Sequence, residues 1–569
     1  MKKSINVRVA LGLILTAILL SGCAGNDNSA AASKGGTLYI LTHADQIAHL
    51  DPQRNFTPED LAFASGYLNR TLTQYASSKD DTQASQLVPD LATDTGAASD
   101  DSKTWSFTLR DGAKWEDGQP VTCADVAYGV SRTFATDVIT GSPSYAISML
   151  DIPKNMDGTS QYPGPYKATA TQQALFDQAV VCVGNKLTFH LATPATDFNY
   201  TVALSAFAPV RKDKDTGAKY DDAVLSNGPY KIKSYVKKSK LILVRNPNWS
   251  SSTDSLRLAN PDVIEYDFGI PSLVITQRLM MEAGNDAWAI SPDQVDATQL
   301  TSVFNDAKYA NRRLNGYNSY VVYYAINTTK VPVLKHRQAI LAAINRADLR
   351  AIAGGPYVGD YADGVVKPNI GQDYAPTGLW DGLLGDTVSP QGNVTLAKKL
   401  IAESGKRFPN PLVFDYAQSP AADRSAASIV TSLARAGIVV KPHPLASSKY
   451  YGVVLNPAKQ GGLSAGGWEA IWSDASTVIP ELFTPAGDFN LSQYNSPAFT
   501  AQVQKARALT DRSAKAKAWQ ELNTRAAQLA LVVPTRFGKE QRLQGSKVSG
   551  AYIWGPYGSY PYASLSVTK

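Results

Sequence analysis

The chain has 569 residues, 44% of them hydrophobic and 18% charged, a balance that excludes a disordered protein. Its length exceeds the roughly 250–300 residues at which a single core stops growing, so two or more domains are expected. The formal charge of +6 falls to +3 once Lys2, Lys3 and Arg8 are removed with a leader, too near neutral to argue for a nucleic-acid partner.

Those three basic residues precede the apolar stretch Val9–Leu20. It is shorter than the roughly 20 residues of a membrane span and has the layout of a secretory signal. Ser21-Gly22 before Cys23 resembles the lipobox of bacterial lipoproteins. That resemblance implies a signal peptide over 1–22, cleavage before Cys23 and a diacylglycerol on its sulfur. Two acyl chains hold a protein at a membrane where one dissociates. The alternative is an ordinary signal peptide with an incidental cysteine. Gly25–Gly36 is rich in Ala, Ser, Asn and Gly, so 23–36 reads as a flexible tether. After Cys23 no apolar stretch is long enough to span a bilayer.

Order is expected from the strand Thr37–Leu41, which Asp51-Pro52 follows as a break. Thr104–Leu109 alternates polar and apolar, the pattern of a half-buried strand, and turns follow at Arg110–Gly112 and Lys114–Gly118. Thr122 and Asp125 form a capping box, with a shortened acid, before the helical run Val126, Ala127, Val130, Phe134. Val180–Cys182 and Lys186–Leu191 read as a hairpin about Gly184-Asn185, and Leu241–Val244 and Val321–Ile326 as strands. Helical spacing recurs over Ala339–Ile352, Ala397–Ala402, Gln502–Leu509 and Lys515–Leu531, with Val532-Val533-Pro534 ending the last. Helices and strands alternate without a strict βαβ period, so the class is mixed α/β.

With Cys23 lipidated, Cys123 and Cys182 remain. An even remainder in an exported protein invites a disulfide; the alternative is two buried free thiols. None of the five histidines stands at metal-ligand spacing, and nucleophile-elbow, zincin and phosphate-loop motifs are missing, so neither an enzyme nor a metal or cofactor is implied. Aromatics are the stronger signal. Trp468 and Trp472 lie four apart after Gly466-Gly467, and tyrosines cluster at 317–324 and 552–562. Aromatic groups with polar tips suit a concave ligand site. The tyrosine clusters read as packing.

Three blocks carry a wider resemblance: Pro89-Asp90-Leu91-Ala92, Trp105–Gly118 and Pro120–Val126. They resemble the signature of family 5 extracellular solute-binding proteins, the peptide-binding components of ABC importers, with Cys123 where the family usually has Ala. Asn227–Tyr230 with Arg245–Trp249, Asn327 with Arg337–Arg346, and Gly467–Phe483 resemble further motifs in the same order. Thr477–Phe483 and Cys123 look most like actinobacterial members.

The resemblance implies a two-lobed periplasmic-binding-protein-like fold of the large peptide-binding class, with an inserted extra domain. It implies a first lobe of 37–60, 205–313 and 522–569, an inserted domain of 61–204, and a second lobe of 314–521. Ligand would be enclosed as the lobes close by hinge bending. By position in the family, Phe56, Thr57 and Tyr145 would face the cleft from one side. Gly466, Gly467, Trp468, Ile471, Trp472 and Asp474 would face it from the other. In peptide binders of this family an Asp three residues after the Trp pairs with the ligand's α-ammonium; here that place holds Ile471. Either Glu469 or Asp474 substitutes, or the ligand has no free amino terminus. An extended strand would turn Glu469 away from the face of Trp468. Poor binding of free-amine di- and tripeptides is therefore expected, in favour of blocked, modified, longer or non-peptide cargo.

The resulting expectation is a monomeric lipoprotein on the outer face of the cell membrane, capturing peptides for ABC permease subunits. The rivals are the same fold with other cargo (nickel chelate, haem, sugar or glycolipid), a non-transporting envelope regulator or sensor, and a secreted hydrolase.

Overall fold

The computed structural model describes residues 34–568. The signal peptide, Cys23 and most of the tether lie outside them. At Gly35 the chain is already docked, its N–H donating to the Asn260 carbonyl at 2.8 Å.

Three sheets organise the rest. The first has five strands in the order Ala289–Ile290, Thr37–Leu41, Val263–Asp267, Lys240–Arg245, Tyr230–Val236. Thr37–Leu41 runs parallel to both its neighbours. Leu38 and Ile40 point into the core beneath, alternating with half-buried Thr37 and Tyr39. Helix Pro58–Tyr67, capped by Thr57 and opened by Pro58, covers this core. Against it pack Trp554, Tyr557, Tyr560 and Tyr562, so these C-terminal aromatics are core packing, with Tyr557 also reaching the cavity described below. Phe63 and Tyr67 meet Tyr562 edge to face at 5.5 Å.

The second sheet has the order Ala97–Ser99, Thr104–Thr108, Lys186–His190, Val180–Val183. Trp105 and Phe107 alternate inward and meet the apolar face of helix Cys123–Arg132. Both halves of the Thr122–Asp125 capping box are formed. Cys123, the first residue of that helix, is bonded to Cys182 of the edge strand.

The third sheet is mixed, in the order Gly359–Asp360, Val532–Lys539, Tyr317–Ile326, Leu463–Glu469, Leu412–Ala417, Val440–Leu445. Its central strand is buried on both faces. Tyr324 and Ile326 enter one core with helices Leu334–Ala343 and Pro420–Ala434. Tyr323 and Ala325 enter another with helices Pro497–Arg507 and Arg512–Gln528. Such a strand reads as an unbroken apolar run, as 321–326 does.

Two sequence expectations change here. The helix expected over Ala339–Ile352 is two, Leu334–Ala343 and Arg346–Ile352. Asn345 breaks it by taking an extended conformation and capping the second, its side chain accepting from the Asp348 N–H at 3.1 Å. Val532-Val533-Pro534 does not merely end a helix; it begins the strand Val532–Lys539. Pro534 cannot donate to a ladder, and the pairing slips beside it, between Val322 and Tyr323.

The chain passes from the first sheet to the third through Arg313–Leu314 and returns through Arg542–Leu543. These two segments pair antiparallel, side by side.

Candidate ligand-binding site

The residues that make the sequence recognisable hold the scaffold. Asp90 is buried and accepts from Arg70 Nε at 2.8 Å and Arg257 Nη2 at 2.8 Å. Trp115 is buried and its indole donates to Asp125 at 3.3 Å. Arg337 spends its guanidinium on the carbonyls of Leu529, Val331 and Pro332. Ion pairs this deep are weak sources of net stability.

A cavity of about 450 Å³ opens elsewhere, where the three sheets approach one another. One wall is Asn55, Phe56, Pro58 and Leu61; a second is Gly141–Tyr145 with Leu204 and Ala206. The third is Ser319 with Glu469, Ala470 and Ile471, and Pro556 and Tyr557 close the floor. A water-sized hollow of about 20 Å³ adjoins it through Ser319, Ala470 and Pro556, and is lined by Lys367, Asn369, Trp468 and Trp472. The larger space is within the usual range of pockets for small ligands.

Phe56, Tyr145 and Ile471 thus line the cavity, and Trp468 and Trp472 line the hollow beside it. The other sequence candidates do different work. Thr57 caps a helix, accepting from the Asp60 N–H at 3.3 Å. Gly466 lies in the sheet, where a Cβ would come within 2.6 Å of the Tyr323 ring, and Gly467 stands beside the Val321 carbonyl. Asp474 lines a separate polar hollow with Arg512 and Lys515.

Around Asp474 is a charge cluster that ties the second wall to the third sheet. Asp474 is buried, 3.0 Å from the buried Lys515 ammonium, and accepts from the Ser476 N–H at 2.9 Å. Lys515 also donates to Thr196 Oγ1 at 2.9 Å. Asp197 accepts from the Trp472 indole at 3.0 Å and from Ser476 Oγ. Burial opposes the charge on Asp197, but Lys515 and these two hydrogen bonds outweigh it and hold the carboxyl below the usual range. Asp373 goes the other way. Burial and the neighbouring Asp474 charge push it up to about 6, against its Arg512 partner.

Glu469, weighed from the sequence as a substitute for the missing Asp, and Asn55, which sequence reasoning passed over, both line the cavity. Glu469 ends its strand, so the alternation that turns it from Trp468 places it on the cavity side, while Trp468 faces the hollow. The two faces of that strand end thus border adjoining spaces. Burial raises the Glu469 carboxyl, with Lys367 and Tyr320 opposing. Lys367 itself is pulled down to about 7 by burial; its ammonium donates to the Tyr320 carbonyl at 2.9 Å and to Asn318. Asn55 follows Asp51-Pro52 and carried no sequence signal at all.

The model of bacterial extracellular solute-binding proteins, family 5, matches residues 86–490. The chain belongs to that family. Among family 5 relatives, the probable D,D-dipeptide-binding periplasmic protein DdpA of Escherichia coli is 26% identical over 464 residues, 79% of this chain and 77% of its own. The periplasmic oligopeptide-binding protein OppA of Salmonella typhimurium is 23% identical, covering 79% of each chain. A solved structure of the clavulanic acid biosynthesis oligopeptide binding protein 2 superposes with a TM-score of 0.82 at 26% identity, over 94% of this chain and 96% of that one. The unliganded open form of the murein tripeptide binding protein MppA gives 0.74 at 19% identity, over 95% and 98%. The expected fold is therefore found: an α/β, two-lobed periplasmic-binding-protein-like architecture with an inserted extra domain. Family 5 members are solute-binding proteins, and no helix among the described residues is long and apolar enough to cross a membrane.

Proposed function

We propose that this family 5 protein captures peptides outside the cell and delivers them to an ABC import permease. It performs no bond chemistry, is held to the outer face of the cell membrane through lipid on Cys23, and acts as a monomer. The observation that carries the reading is the 450 Å³ cavity, to which one side brings the aromatic Phe56, Tyr145 and Tyr557 and the other the polar Ser319 and Glu469. Relatives named for dipeptide and oligopeptide binding support peptide as cargo.

The lobes follow the sheets. Boundaries at 60/61 and 521/522 would cut helices Pro58–Tyr67 and Arg512–Gln528. We therefore draw the second lobe as 315–539, begin the inserted domain after that first helix, and let the first lobe take the rest. The paired crossing Arg313–Leu314 and Arg542–Leu543 is the hinge about which the lobes close on ligand.

Native mass spectrometry of ligand retained by the purified protein tests the reading. Short peptides are the expected result. A retained haem, metal chelate or sugar would replace the cargo while leaving the capture role intact.

A further inference from the structure

We infer that the cavity selects a ligand carrying both a protonated nitrogen and an amide, the first taken by Glu469 and the second by Asn55. The inference rests on the cavity being the ligand site of the proposed capture function and names the chemistry that site takes.

Two residues of the cavity wall hold buried polar atoms that have no hydrogen-bond partner among the described residues. Asn55 is 3% exposed, and neither its amide nitrogen nor its amide oxygen has a hydrogen-bond partner among the described residues. Glu469 keeps a buried Oε2 in the same state. Native proteins leave few such groups, and each one calls for an explanation. A buried side-chain amide without partners costs stability that an apolar residue of similar size would not. Both groups line one cavity, so one ligand can satisfy both.

The chemistry of each orphan specifies its partner. An ionised Glu469 only accepts, so it calls for a donor, and a cationic nitrogen makes the strongest bond. Lys367 does not supply it, because the three donors of its ammonium go to the carbonyls of Asn318, Tyr320 and Gly538. Asn55 offers two donors and an acceptor, which a peptide unit matches with its C=O and N–H.

Rigid elements present both groups. The Asn55 segment is tied down by the bidentate pair of Asp51 with Arg132, at 2.8 and 2.7 Å, and by Ser205 Oγ donating to the Asn55 carbonyl at 3.1 Å. Glu469 is the last residue of a strand in the six-stranded sheet. Asn55 comes from the segment before the helix on the first sheet and Glu469 from the third sheet, so a ligand bonded to both bridges the two proposed lobes.

The cationic nitrogen can be a peptide's α-ammonium or a basic side chain, and four probes separate these. Calorimetry on the mature protein uses tri-alanine, N-acetyl-tri-alanine, N-acetyl-Ala-Lys-Ala and cadaverine, an amine without an amide. At least one of the two cationic peptides is expected to bind tenfold or more tighter than N-acetyl-tri-alanine. Tri-alanine in that role identifies the α-ammonium, and N-acetyl-Ala-Lys-Ala the side chain. Glu469→Gln should abolish the difference. Asn55→Ala should weaken the cationic peptides at least fivefold, leave cadaverine unaffected, and not lower the melting temperature of the unliganded protein, since no hydrogen bond is lost. Equal or tighter binding of N-acetyl-tri-alanine overturns the inference and leaves peptide capture standing. Cadaverine binding alone, removed by Glu469→Gln, keeps the Glu469 assignment and overturns the peptide reading together with the Asn55 assignment. Binding of none of the four overturns the inference.

Discussion

Tyr145 meets Trp472 edge to face, with ring centroids 5.7 Å apart and planes at 76°. Trp472 follows the third-sheet strand Leu463–Glu469, and its indole reaches Asp197, in the segment after the second sheet. The contact thus joins the Tyr145 wall of the cavity to the hollow beside it.

Tyr145→Ala is expected to weaken ligand binding about tenfold while shifting the melting temperature of the unliganded protein by only a few degrees. The edge-to-face contact is worth about 0.5–1.5 kcal/mol, a small part of global stability. Calorimetry beside thermal denaturation checks it. A large loss of apo stability with unaltered affinity would make Tyr145 a core residue.

Asp373 gives a pH signature. Its carboxyl is pushed up to about 6 in the folded protein against about 4 unfolded. Between those values the folded state holds a proton that the unfolded state has released, so this group's contribution to stability falls as pH rises from 4 to 6. Asn mimics the protonated acid and does not titrate. Asp373→Asn should therefore gain stability relative to the natural protein across that window, read as the difference in melting temperature. A gap that stays flat from pH 4 to 6 would contradict the assignment.

The Cys123–Cys182 bridge closes a loop of sequence separation 59. Chain entropy alone puts its contribution at about 4 kcal/mol, less any strain. The double variant Cys123→Ala, Cys182→Ala should lose up to that much. Its ligand affinity should stay the same, because neither cysteine lines the cavity. Non-reducing peptide mapping of exported protein should recover the linked pair; two freely alkylated thiols would refute it.

Cys23→Ala should leave the protein unprocessed or release it into the medium, as fractionation and immunoblotting will show. Processed Cys23→Ala protein that stays on the membrane would disprove the anchor.

Much of the fold was legible because its signals are local. A strand-like run gave Thr37–Leu41, alternation gave Thr104–Leu109, a capping box placed the start of the Cys123 helix, and an apolar run marked the doubly buried strand at 321–326. Long-range pairing hid the rest. Pro534 reads as a stop, and only its place opposite a slipped register lets it sit inside a sheet. The binding wall was legible in its aromatics, Phe56, Tyr145, Trp468 and Trp472, which bring a family position or a pattern with them. Glu469 was weighed beside Asp474 as the ammonium's partner and disfavoured on strand alternation, whereas Asn55 became a candidate only once burial and missing partners were visible. No spacing rule reports Asn55. Gly466 shows the converse: the family position suggested a ligand contact, whereas the Tyr323 ring accounts for the missing side chain.

If the two-stranded ladder of Arg313–Leu314 with Arg542–Leu543 is the proposed hinge, it separates motion from unfolding. Swinging one lobe about it would leave the hydrogen bonds of the large sheets intact and break what bridges the cleft, such as the Ser473 N–H donating to the Tyr75 hydroxyl at 3.2 Å. Deuterium should reach the Ser473 amide through each opening swing. It should reach the amides of Tyr323–Ala325, paired on both sides, only when the whole lobe comes apart. Two exchange regimes within one chain would thus report the hinge and the core as independent clocks.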